Sequence, residues 1–234
     1  MSSNYSINFN IPKRSKKFIK FIIIHYTGMK SQSKAIERLC NSSSKVSAHY
    51  FIKDNGKLLN LVPDLYEAWH AGKSSWKNLK SLNKYSIGIE INNPGHDHGY
   101  LKFKKRQLST LKKLLKKLIN KYKIKDQNIL GHSDIAPDRK KDPGEKFPWK
   151  DLANKDLSVW HKLKENKIKI LRNQKLNSKD ENIFFKNLYK FGYSKINKNK
   201  LFLIKAFQRR FRQSLINGKV DKECFIISKS LTKP

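Results

Sequence analysis

The stretch Gly131-His132-Ser133-Asp134-Ile135-Ala136-Pro137-Asp138-Arg139-Lys140-Lys141-Asp142-Pro143-Gly144 decides how this chain is read. It sets an imidazole, His132, and a carboxylate, Asp142, ten residues apart in a loop punctuated by Pro and Gly. The short run 128–131 ahead of it reads as a strand that delivers His132. A second imidazole, His25, follows the apolar run Phe18-Ile19-Lys20-Phe21-Ile22-Ile23-Ile24, which reads as a buried strand. Taken singly, His25 is a hydrogen-bonded histidine at a strand end and Asp142 a turn former ahead of Pro143-Gly144. Taken together, two His and one carboxylate from separate segments leave a fourth position to water. That is the ligand pattern of a catalytic rather than a structural zinc.

The segments around these residues suggest an α/β architecture. Residues 32–41 read as a short helix. Runs 49–54 and 58–62 are strand-like and joined by Asp54-Asn55-Gly56, where Asn-Gly is a strong hairpin signal. Segment 85–92 alternates and stays apolar, as a buried strand would. Over 104–123 the apolar positions Leu108, Leu111, Leu114, Leu115, Leu118, Ile119 and Tyr122 recur at intervals of three and four. This spacing predicts an amphipathic helix covering one sheet face. The expected fold is a mixed central β-sheet flanked by helices, carried by residues 1–172 with a core over about 18–160. The sequence turns polar and basic after Trp160, so 173–180 is expected to be a linker. Segment 181–234 then shows three short helical patterns, at 182–191, 201–212 and 221–231.

Composition narrows the function classes. The formal net charge of +34 comes from 52 Lys and Arg against 18 Asp and Glu. Only 8 of the 52 are Arg, the residue favoured for bidentate phosphate and base contacts, and the lysines are scattered along the chain. No specific nucleic-acid binding is therefore expected, although a positive field would steer an anionic substrate. No apolar run reaches the ~18–20 residues of a membrane helix. The start, Met1 to Ser6, lacks the basic region and cleavage site of a leader, which suggests a cytoplasmic location. Cys40 and Cys224 form no CxxC pair, so neither a disulfide framework nor thiolate-bound zinc is indicated.

Five motifs occur in order between about residues 18 and 149. They are Ile23-Ile24-His25-Tyr26-Thr27, Ser47-Ala48-His49-Tyr50, Ala68-Trp69-His70-Ala71-Gly72, Ser86-Ile87-Gly88-Ile89-Glu90 and the 131–144 loop. In these the chain resembles the zinc-dependent N-acetylmuramoyl-L-alanine amidases of the AmpD/AmiD type, which share a fold with peptidoglycan recognition proteins. The resemblance implies one Zn2+ per chain, held by His25, His132 and Asp142. It implies hydrolysis of the amide between N-acetylmuramic acid, or its 1,6-anhydro form, and L-alanine. It also makes Glu90 the general base and, through a Lys-x-Asp-Pro-Gly pattern, Lys140 the cation at the oxyanion. The residues themselves agree. Glu90 ends an apolar strand, where burial lifts a carboxyl toward the range of a base, and an ammonium near Asp142 suits developing negative charge.

Arg139 resembles the residue that pairs with a substrate carboxylate, and Trp69, His70, Asn92 and Asn93 are expected to line the substrate cleft. His49 reads as a packed core histidine. His96 and His98 lie in a turn, and His161 is assigned nothing. Segment 181–234 resembles a three-helix peptidoglycan-binding domain through Leu188-Tyr189-Lys190-Phe191-Gly192-Tyr193, Ala206-Phe207-Gln208-Arg209-Arg210-Phe211 and Gly218-Lys219-Val220-Asp221, with Asp221 as a helix N-cap. A helical cap without ligand affinity is the equal alternative. A non-catalytic peptidoglycan-recognition protein is the alternative function, against which stand Asp142, Glu90 and Lys140 together. The expected partner is peptidoglycan or a muropeptide, met by a monomer with no membrane span.

Overall fold

A computed structural model describes residues 5–195 and 199–232. Residues 1–4, part of the stretch read as lacking a leader, lie outside the described residues, as do 196–198 and 233–234. Five strands form the central sheet: β1 (Phe21–Tyr26), β2 (Tyr50–Ile52), β3 (Leu58–Asn60), β4 (Ser86–Ile91) and β5 (Ile129–Gly131), in the order β3-β2-β4-β1-β5. Strand β1 runs parallel to β4 and β5, β2 parallel to β4, and β3 antiparallel to β2. The sheet is mixed, as expected. The β2–β3 hairpin turns where Asn-Gly signalled it. Gly56 has φ +84°, and a Cβ there would meet the Arg106 carbonyl oxygen at 2.9 Å.

Alternation along the strands sorts the two faces. Ile22 and Ile24 of β1, with Ile87, Ile89 and Ile91 of β4, pack on one side. Helix α1 (Gln32–Cys40) lies toward the hairpin edge, whereas α2 (Lys105–Tyr122) covers these isoleucines with Leu111, Leu114, Leu115 and Leu118. The other face carries Phe21, Ile23 and His25 from β1 and Ser86, Gly88 and Glu90 from β4. The parallel register pairs His25 with Glu90 and Ile24 with Gly131. His132 begins the short helix α3 (His132–Ile135) directly after β5. Three neighbouring strands therefore deliver His25, Glu90 and His132 to one edge, the carboxyl end where open α/β sheets bind ligands.

Helices α4 (Ser178–Phe191), α5 (Lys200–Phe211) and α6 (Lys222–Leu231) follow the three expected patterns. Asp221 caps α6 by accepting from the Cys224 N–H at 3.0 Å. One apolar cluster joins Phe21, Ile23 and Leu130 of the sheet to Phe184, Phe207 and Phe211 of the helices. Trp76, fully buried, stands edge-on to Phe191 and Tyr193 at 5.8 and 4.9 Å. Asp134 of α3 accepts hydrogen bonds from Gly131 N–H, Tyr193 O–H and the Arg210 guanidinium, which also donates to the Ile129 carbonyl. The connection is held down as well. Arg172 donates to Glu223 at 2.7 and 2.9 Å, Asn173 N–H donates to Asp221, and α4 already begins at Ser178. The helices share the cover of this sheet face with Ala71, Trp76, Leu82 and Ile135. Among the described residues, no helix is long and apolar enough to cross a membrane.

His49, fully buried, is the core histidine expected. Its Nδ1 accepts from Gly88 N–H at 3.0 Å, and its Nε2 donates to the Tyr66 carbonyl at 3.0 Å. Burial, followed by the adjacent Arg14 guanidinium, pushes its pKa down to about 3.

Ending the chain at Lys175 uncovers Trp76, Phe21 and Ile23 and strips Asp134 of Arg210 and Tyr193. The full chain should melt in one calorimetric transition and the truncated chain should show none. Arg210→Ala alone should lower stability by about 3–5 kcal/mol, because it leaves a buried carboxylate uncompensated. A sharp transition in the truncated chain would contradict the shared core. His49 generates a separate expectation. The unfolded chain takes up a proton there near pH 6.5 and the folded chain only near pH 3. Between those values the unfolded state holds more protons, so stability falls as the pH drops. This site should account for about 2 kcal/mol of loss between pH 6.5 and 4.5. Urea midpoints of His49→Gln should fall less steeply over that window, and an unchanged slope would contradict the assignment.

Candidate active site

Three donor atoms converge at the carboxyl edge of the sheet. His25 Nδ1 lies 2.9 Å from His132 Nδ1 and 3.0 Å from Asp142 Oδ2, and His132 Nδ1 lies 3.2 Å from the same oxygen. Among the described residues this is the one group of three His, Cys, Asp or Glu side chains spaced to hold a metal ion, and all three are buried. Ligands about 2.0 Å from zinc in a tetrahedron are separated by about 3.3 Å, so the donors fit in type and in spacing. The Asp142 loop is tied in place by Ser133 N–H donating to the Asp142 carbonyl at 2.8 Å and Tyr100 O–H donating to the Pro143 carbonyl at 2.6 Å. Burial opposes the charge on Asp142, but His132 and His25 outweigh it and hold the carboxyl well below its usual range. Burial, with His132 alongside, pushes His25 down to about 4. At neutral pH the ring is uncharged, the form that ligates a metal.

Glu90, opposite His25 in the β1–β4 register, lines the same cleft, a cavity of about 710 Å³. Its Oε2 is buried and has no hydrogen-bond partner among the described residues. Burial first, and then the charge of Asp142, raise its pKa to about 8, while Lys140 pulls it down. A divalent cation beside it would pull further in that direction. Lys140 also lines the cleft, and its charge acts on His25 as well as Glu90. A carboxylate with a free oxygen, an ammonium and a triad spaced to hold a metal thus face one space. Such a set can move a proton and steady negative charge on a carbonyl oxygen.

The remaining expected residues divide. Trp69 and Arg139 line the cleft. The Trp69 indole N–H donates to Asn10 Oδ1 at 2.8 Å, and the Arg139 guanidinium donates to the carbonyls of Ala71 and Lys73. His70 lines the cleft as well, as a buried neighbour of His25. Its Nδ1 lies 3.1 Å from His25 Nε2 and its Nε2 3.2 Å from Ser86 Oγ, so neither nitrogen is left for a ligand. Asn92 and Asn93 are not brought to the cleft. Asn92 donates to Asp54 and Asn93 to the Leu101 carbonyl, both amides being spent on the chain's exit from β4 and neither lining the cleft. His96 places Nδ1 2.8 Å from Tyr26 O–H and Nε2 3.0 Å from the Glu145 carboxylate. Met29, Arg38 and Leu39 also line the cleft and are not among the expected residues, because 32–41 shows in sequence only as a short helix. Ser86, an isolated strand serine, likewise carried no signal of its own.

Comparison with known proteins agrees with this geometry. The N-acetylmuramoyl-L-alanine amidase family profile matches residues 14–145. The chain is 34% identical over 229 residues to the N-acetylmuramoyl-L-alanine amidase AmiD of Escherichia coli, covering 91% of this chain and 82% of AmiD. It is 41% identical over 105 residues to the E. coli 1,6-anhydro-N-acetylmuramyl-L-alanine amidase AmpD, covering 45% of this chain and 55% of AmpD. AmiD in complex with the substrate anhydro-N-acetylmuramic acid-L-Ala-D-gamma-Glu-L-Lys matches the fold with a TM-score of 0.80 at 31% identity, over 95% of this chain and 91% of AmiD. AmpDH3 of Pseudomonas aeruginosa, in complex with an anhydromuramic pentapeptide, matches with a TM-score of 0.79 at 28% identity, over 94% of this chain and 93% of AmpDH3. The likeness to AmiD spans the helices as well as the sheet. The chain therefore belongs to the N-acetylmuramoyl-L-alanine amidase family, of the AmpD/AmiD type, and is an enzyme of that class.

Proposed function

We propose that this chain is a zinc-dependent amidase acting on peptidoglycan fragments, cleaving the bond between the lactyl group of N-acetylmuramic acid, or its 1,6-anhydro form, and L-alanine. The observation that carries the reading is the unpartnered Oε2 of Glu90, buried beside the triad of His25, His132 and Asp142. A buried carboxylate oxygen without a partner is costly and marks a place where a ligand completes the structure. The triad would hold one Zn2+ per chain. Bound there, zinc supplies polarisation of the scissile carbonyl and lowers the pKa of a water to roughly 7.

The chain's own residues carry the proton and the charge. Glu90 Oε2 takes a proton from the attacking water as the new C–O bond forms. It returns that proton to the alanine nitrogen as the C–N bond breaks, leaving a free carboxylate and a free amine. Lys140 offsets the negative charge that develops on the carbonyl oxygen. Trp69 and Arg139 supply the wall on which sugar and peptide lie, and the complexes of AmiD and AmpDH3 with anhydromuramyl peptides support this class of substrate. In this reading 1–172 carries the site, and 181–234 is a three-helix domain of peptidoglycan-binding type packed on it.

Elemental analysis of the purified chain should find one zinc, and Asp142→Ala should lose metal and activity together. Glu90→Ala should keep zinc and fold while losing roughly 100–10,000-fold in kcat. The assay is mass spectrometry of stem peptide released from anhydro-muropeptide. A Glu90→Ala enzyme with near-normal kcat would overturn the role of Glu90, and a zinc-free wild type would overturn the reading as a whole.

A further inference from the structure

We infer that His70 and Ala71, held by Asn83 and Ser86, are positioning residues that fix the tautomers of both metal-facing imidazoles. The inference rests on the reading that His25 and His132 hold the metal. Each of these rings turns Nδ1 toward Asp142. A neutral imidazole can ligate through Nδ1 only if its hydrogen sits on Nε2, so what binds each Nε2 decides whether the site is ready.

For His132 the answer is direct. Its Nε2 lies 3.1 Å from the Ala71 carbonyl oxygen, which can only accept. The hydrogen is therefore on Nε2, and Nδ1 is a lone pair.

For His25 the answer runs through three bonds. Ser86 Oγ lies 2.6 Å from the Leu82 carbonyl oxygen, so the hydroxyl hydrogen points there. Ser86 Oγ can then only accept from His70 Nε2, 3.2 Å away. That leaves His70 Nδ1 as a lone pair, and it takes the hydrogen of His25 Nε2 across 3.1 Å. Reversing the chain would turn the Ser86 hydrogen away from the Leu82 carbonyl and leave two acceptor oxygens 2.6 Å apart with no hydrogen between them. The direction is set by the Leu82 backbone.

Two further features keep this clasp in place. The Asn83 Oδ1 accepts from both the His70 and Ala71 N–H groups, at 3.1 and 2.7 Å, fixing the two acceptors side by side. Gly88 leaves the space in which the His70 ring lies, since a Cβ there would meet His70 Cγ at 2.4 Å. One two-residue segment thus serves both ligands, His25 through a side chain and His132 through a carbonyl.

The test is 15N NMR of histidine-labelled protein, metal-free and zinc-loaded, combined with zinc dissociation constants from chelator competition. Wild-type His25 should show only the Nε2–H tautomer before metal is added. His70→Ala should weaken zinc binding about 10–100-fold. Ser86→Ala, which removes the acceptor at the end of the chain, should shift binding the same way and give His25 a mixture of tautomers. Ser86→Thr, which keeps the hydroxyl, should restore both readouts. If Ser86→Ala keeps a single Nε2–H tautomer and a dissociation constant within about twofold of wild type, the inference is wrong. A His70→Ala chain that does not fold leaves Ser86→Ala to decide. A wild type that takes up no zinc would sink the metal reading, while the metal-free spectra would still decide the tautomer relay.

Discussion

The Asp142 carboxylate is buried between two imidazoles, and the surrounding architecture serves to hold it there. An ionised carboxylate removed from water is costly unless a matching charge compensates it. Two neutral rings that turn Nδ1 lone pairs toward it offer no compensating charge, whereas a divalent cation offers charge to all three donors together. The groups that keep the donors converged come from distant segments. Ser133 and Tyr100 hold the backbone of 142–143, and Arg139 and His132 share the Ala71 carbonyl. Glu90 follows the same logic with the opposite outcome. Its Oε2 is buried without a hydrogen-bond partner among the described residues, and a group left wanting inside a cleft is a candidate for chemistry.

The second sheet face carries this constraint to the far end of the chain. Asp134 stands two residues after His132 and is gripped by Arg210 and Tyr193 from the C-terminal helices. Those helices therefore help to seat the segment that carries His132 as well as cover apolar residues. The arginines are spent on such work. Arg14, Arg139, Arg172, Arg210 and Arg212 all donate from their forked guanidinium groups to carbonyls or carboxylates inside the fold. This is the planar, multi-donor use for which Arg is preferred over Lys. The large positive charge is left to lysines, which suits attraction of an anionic substrate better than recognition of a nucleic-acid sequence.

How much of this could be read from sequence depended on how local each signal was. Ser86-Ile87-Gly88-Ile89-Glu90-Ile91 announces a strand and sets Glu90 on the face opposite the isoleucines, and the structure keeps that alternation. His25 and His132 each sit at a strand end, and Asp142 in a Pro-Gly loop, so their convergence followed from topology. The hydrogen-bond role of His70 is not legible in sequence, because its partners, His25 and Ser86, lie on two other segments, and a histidine in a cleft motif looks the same whichever way its ring faces. The connection near 173–180 shows a related limit. Polar composition describes a free tether and a bound surface segment equally, and only the Arg172–Glu223 pair, 51 positions apart, separates them. Trp76 gave no hint in sequence that it would pack against helices more than a hundred residues later.

The most direct measurement is a crystal structure of the zinc-loaded chain with anomalous data at the zinc edge. One peak per chain is expected, bonded to His25 Nδ1, His132 Nδ1 and Asp142 Oδ2, with Glu90 beside it and free of the metal. A peak elsewhere, ligation through Nε2 of either histidine, or Glu90 as a ligand in place of Asp142 would contradict the account.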